Sequence, residues 1–150
     1  MTASILYETD LLRWSEEQAN LLRAGRLDEL DIGNLLEELD DMGREQKVAL
    51  QSLLRQILIH LVKLQCSPAT APRGKWVDEL IEFGAQAQTR LEEIRSLKHY
   101  ADDLFEKAWR QARRGAAKSF EAYGETVEIP GSCPFSLQQC LDDDYIPAKP

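Results

Sequence analysis

Five carboxylates fall within nine residues of this chain: Glu37, Glu38, Asp40, Asp41 and Glu45. On a helix Glu38, Asp41 and Glu45 share a face, and Glu37 stands one turn before Asp41. Such a stripe offers the oxygen ligands a hard cation takes, so a metal-dependent enzyme would rest on Glu38 and Asp41. The plainer reading is a solvated helix start, where negative charge suits the macrodipole. The dimetal centres of helical bundles need two Glu-x-x-His motifs. Here Ile57 precedes His60 and Ser96 precedes His99 at that spacing, so the motif is absent. His60 could act as a general base, and Cys66, six residues on, would complete a thiol–imidazole pair if the fold joined them. A lone histidine in an apolar helix is more often a hydrogen-bonded packing residue, and His99, between Lys98 and Tyr100, reads as surface. Cys133 and Cys140 sit outside any metal-ligand spacing. Arg110, Arg114 and Lys118 share one helical face with Arg113 beside it, read first as solvated surface and next as a partner for acidic groups. No Gly-rich phosphate loop, nucleophile elbow or zinc motif is present. No catalytic, cofactor-binding or metal residue is assigned, and no cofactor is expected.

The elements that must position these groups all have helical spacing. Helix one is expected from about Asp10, capped by Thr9 or Asp10, to Ala24, with Gly25 in the left-handed position that ends it. Arg26 to Leu30 should turn, with Leu27 and Leu30 tucked inward. Helix two starts near Asp31, and its stripe runs Ile32, Leu35, Leu39, Met42, Gln46, Ala49 or Leu50, Leu53, Ile57, Leu61, Leu64. Gly43 lies inside it and offers a place to kink. Unbroken, the element is about 50 Å long. Pro68, Pro72 and Gly74 make Gln65 to Lys75 a loop. Trp76 to Ile94 marks helix three, and Ser96 is a candidate cap for helix four, which runs to Tyr123. Four prolines fall after Gly124, and Ser136 can cap a short helix through Leu141.

The expected fold is all-α. It is a single-domain bundle of about four main helices spanning 1–150, with a long central helix and a proline-rich tail over 124–150. A chain of 150 residues buries about 68–70% of its unfolded surface. The amino terminus has no basic and apolar regions of a signal peptide, and the three cysteines are odd in number, which fits a reducing cytoplasm. Residues 1–45 hold 12 acidic and 4 basic side chains, whereas residues 46–150 hold 14 of each, so the first part carries the whole net charge of −8. Nucleic acid and anionic lipid are poor partners for such a surface. A basic protein surface, or a second copy of this chain, suits it better.

Several short motifs recur together. They are Tyr7-Glu8-Thr9-Asp10 with Trp14, Leu21-Leu22-Arg23-Ala24-Gly25-Arg26, and Leu27-Asp28-Glu29-Leu30-Asp31. Asn34-Leu35-Leu36-Glu37-Glu38-Leu39 follows with Asp41-Met42-Gly43, then His60-Leu61 with Lys63, Cys133-Pro134-Phe135-Ser136-Leu137, and Tyr145-Ile146-Pro147. Over nearly its full length the chain resembles the bacterial family catalogued as domain of unknown function 29. Gly33 departs from that family's pattern, which favours a better helix former. The resemblance implies a compact helical fold and brings no catalytic residues. The functional expectation is a non-catalytic, cytoplasmic interaction or regulatory module with an acidic docking face. The alternative is an enzyme using Glu38 and Asp41 with a metal, or His60 with Cys66.

Overall fold

The structure, a computed structural model, describes residues 2–150 and is all-α: those residues form six α-helices and two 3-10 turns, without a strand. The helices are α1 (Ala3–Thr9), α2 (Leu11–Arg23), α3 (Ile32–Cys66), α4 (Arg73–Glu93), α5 (Ala101–Ala122) and α6 (Leu137–Cys140). The four expected main helices are α2 to α5. None of the helices is long and apolar enough to cross a membrane. The chain forms two compact units, Met1–Glu45 and Gln46–Pro150, and the division falls within α3.

In the first unit local chemistry sets each boundary. Thr2 caps α1, its hydroxyl accepting the Ile5 N–H at 3.3 Å. Asp10 closes α1 with φ −151° and opens α2 by accepting the Arg13 N–H at 3.1 Å. Helix α1 was not expected from the sequence, because seven residues display too little periodicity. Gly25, at φ +70°, ends α2 with the Arg26 N–H on the Leu21 carbonyl, the backbone turn that glycine makes without strain. Leu27 corrects another expectation: it is exposed rather than tucked inward, because it lies in a 3-10 turn that buries nothing and is closed by an Arg26–Glu29 ion pair. Only Leu6, Trp14 and Gln18 are fully buried among residues 2–45.

Gly43 does not break α3, which runs unbroken from Ile32 to Cys66. Interior glycine costs about 1 kcal/mol relative to alanine, which the surrounding 35-residue helix absorbs. The expected apolar stripe splits in two. Leu50, Ile57, Leu61 and Leu64 are buried and Leu53 partly so, but Ile32, Leu39 and Met42 are exposed. The second unit has one core, built by the later part of α3 with α4 and α5, and completed by Phe135 and Cys140 of the tail.

Helix α3 continues to Cys66, so the following loop is shorter than expected. Buried Ser67 holds it, donating to Glu125 at 2.9 Å. Ser96 does not cap helix four. It lies in the 3-10 turn Arg95–His99, and α5 starts after Tyr100 with Asp102 and Asp103 in its first turn. Residues 124–150 are irregular apart from α6, where Ser136 and Gln139 form a reciprocal capping box.

Candidate functional site

Asp31 organises the first unit. Its carboxylate accepts from the Trp14 indole at 3.0 Å and from the Asn34 side chain at 2.8 Å, while its own N–H donates to Gln18 at 2.8 Å. The Asn34 amide foremost, with help from Trp14 and the Asn34 backbone N–H, holds the Asp31 carboxyl below its ordinary value. That last contact makes Asp31 the expected cap of α3. Glu38 accepts the Tyr7 hydroxyl at 2.7 Å, and Tyr7 packs edge-on against Trp14 with ring centres 4.8 Å apart. The Glu38 bond, with the carboxylates around it, pushes the Tyr7 phenol up to about 12. Asp41 is paired with Arg44. Glu38 and Asp41 are thus each engaged by another side chain, and among the described residues no group of three or more His, Cys, Asp or Glu is placed to hold a metal ion.

With those groups turned to structural use, the far side of the same helix is left bare. Ile32 is 61% exposed, Leu36 57%, Leu39 64% and Met42 62%. Ile32, Leu36, Leu39 and Gly43 follow a four-three-four spacing, which places them in one row along α3. A Cβ added at Gly33 or Gly43 would meet nothing within 4 Å, so no neighbour in the structure requires either glycine. Nine of the fourteen large apolar side chains exposed among the described residues belong to the first unit. Asp40, one turn after Leu36, is exposed beside the row, and Glu37, one turn before Asp40, is exposed further round the helix; neither makes a hydrogen bond or ion pair.

The second unit holds a different feature. His60 is buried, with Nδ1 2.6 Å from the Gln56 carbonyl and Nε2 2.6 Å from the Glu79 carboxylate. Neither nitrogen is left for Cys66, and burial pushes the Cys66 thiol up, away from the thiolate a nucleophile needs. Glu79 was not singled out in the sequence: it lies nineteen residues from His60 on another helix. The His60 bond, then the charges of His60, Lys75 and Lys63, hold the Glu79 carboxyl below its ordinary value. Glu79 also lines a cleft of about 470 Å³ with Lys63, Lys75, Trp76, Tyr123 and Glu125. Two lysines and two glutamates balance there, and Lys63 already sits 5.7 Å from the Trp76 ring centre. The cleft favours no one sign of ligand.

The basic residues of α5 divide as well. Arg113 donates to the carbonyls of Pro130 and Ile129, which ties it to the tail. Arg110, Arg114 and Lys118 are exposed and unpaired. His99 is exposed, as expected.

Among the described residues His60 is engaged by Gln56 and Glu79, and Glu38 and Asp41 by Tyr7 and Arg44. The profile of the family described as Domain of unknown function DUF29 matches residues 6–146. The chain belongs to that family. Neither a curated protein nor a solved structure matches it. Membership in DUF29 therefore places the sequence without supplying an activity, and the residues themselves must carry any reading of function.

Proposed function

We propose that the chain is a non-catalytic interaction module whose docking surface is the apolar row of α3 with its acidic border. The observation that supports this reading is the pairing of two properties in one unit: most of the exposed large apolar side chains and the whole net charge of −8. Single exposed apolar residues are ordinary, but a contiguous set rimmed by polar groups marks interaction surfaces. Fully burying a leucine or isoleucine is worth roughly 1.5–3 kcal/mol. At 57–64% exposure, Ile32, Leu36, Leu39 and Met42 leave much of that ungained. A partner would gain it. The acidic rim would speed encounter with a basic surface and weaken as salt screens it.

The experiment is proximity labelling in the source cell with the natural chain and with Leu36→Asn/Leu39→Asn, followed by reconstitution with each purified candidate. A partner recovered by the natural chain, bound in the reconstituted mixture and lost with the folded variant supports the reading. If every reconstituted association survives the double substitution, the row is not the docking surface.

A further inference from the structure

Resting on that docking reading, we infer that the occupant of the row is a basic amphipathic helix of another protein, laid along α3 between Ile32 and Gly43. Three observations select it. The first is shape. Ile32, Leu36, Leu39 and Gly43 form a straight ridge with the spacing of a helix-pairing seam, about 16 Å long at 1.5 Å per residue. The second is the glycine in that ridge. A side chain at Gly43 would fit in open space within this chain, so its bare backbone serves nothing inside the fold. Against an incoming helix it permits close approach, the large residues of one ridge entering the gap of the other.

The third is charge. The first unit carries 12 acidic and 4 basic side chains, and one of the four, Arg44, is already paired with Asp41. The same face of a second copy would bring like charge against Asp40 and set two acidic units together. The basic helix of a second copy, α5, does not fit either: among the described residues it exposes no large apolar side chain between Ala101 and Ala122 that could cover the row. An anionic lipid surface is repelled outright. What remains is a segment that joins leucine-like residues at helical spacing to lysine or arginine on its flanks, the helix-in-groove mode of recognition.

The test uses the full chain and a synthetic peptide of about 18 residues, roughly five turns, with leucine at helical spacing and lysine elsewhere. A scrambled peptide of equal composition is the control. Calorimetry gives affinity, and amide chemical shifts locate the site. The amphipathic peptide should bind with shifts centred on residues 32–47 and about tenfold or more tighter than the scrambled one. Leu36→Asn/Leu39→Asn should weaken it by a similar factor, and Glu37→Lys/Asp40→Lys should weaken it and flatten its salt dependence. All four positions are exposed, and circular dichroism confirms folding; should the leucine pair fail that check, Leu39→Gln alone replaces it.

Equal binding of the scrambled peptide, shifts centred elsewhere, no binding, or indifference to the leucine substitutions overturns the inference. Sedimentation separates it from the reading beneath. A dimer that dissociates in Leu36→Asn/Leu39→Asn assigns the row to a second copy, so this inference falls while the docking surface stands. If peptide binding and self-association both ignore the row, and the cellular partners do too, both fall.

Discussion

His60 has an acceptor at each ring nitrogen. The Gln56 carbonyl can only accept, so Nδ1 must carry a hydrogen, and the 2.6 Å contact between Nε2 and Glu79 must hold a proton of its own. This makes Glu79 a stability residue with a definite pH signature. Its carboxyl titrates below the ordinary 4.5 in the folded chain, first because of the bond to His60. A depressed carboxyl contributes stability above its unfolded value and loses it as pH falls through the folded one. The stability difference between the natural chain and Glu79→Gln, from urea midpoints, should shrink steadily as pH falls below 4.5. Glu79 is 38% exposed at its side chain, so solvent screening keeps the difference modest. A gap that widens on acidification would mean the pair does not favour the ionised carboxylate. The sequence offered His60 as a candidate but not its partner. Six residues separate His60 from Cys66 along one helix, whereas Glu79 reaches it only because α3 and α4 pack together, which no local spacing reports.

At the level of elements, what was readable was what local chemistry decides. Asp10 as a cap, Gly25 as a stop and Ser136 as the start of α6 each depend on neighbours within a few residues, and each is found in place. What was not readable depends on packing. The stripe of α3 keeps one period from Ile32 to Leu64, yet only its later part meets a core. Periodicity tells which residues share a face, not whether anything lies against it. Ser96 illustrates the same limit: its type suits a cap, but the backbone turns at Ile94 and spends five residues in 3-10 geometry first. The buried part of α3 is testable directly. Ile57 has no exposed surface, so Ile57→Ala should cost about 2–5 kcal/mol by chemical denaturation. A loss of about 0.5 kcal/mol or less, as at surface positions, would place it outside the core.

Across the whole molecule the two units differ in how much they bury. Nineteen residues make up the buried apolar core of Gln46–Pro150, whereas the first unit fully buries only Leu6, Trp14 and Gln18 among residues 2–45. Regions with few buried apolar contacts open at lower free energy than the global transition. Hydrogen exchange under native conditions should therefore find the amides of α2, and of α3 before Glu45, markedly less protected than those between Leu54 and Leu64. Equal protection throughout would mean that the first unit opens only with the second. A helical docking partner would raise protection in the first unit by mass action, and the family's shared sequence, which runs from residue 6 to 146, spans both units.

Trp14 gives this difference an optical handle. The chain has three tryptophans, and Trp14 is the sole one in Met1–Glu45. Trp14 is 2% exposed and its indole is held by Asp31, so opening of the first unit moves it from a dry environment into water. In a chain with Trp76→Phe and Trp109→Phe, the colour of the remaining emission becomes a private meter of that unit, read without any label.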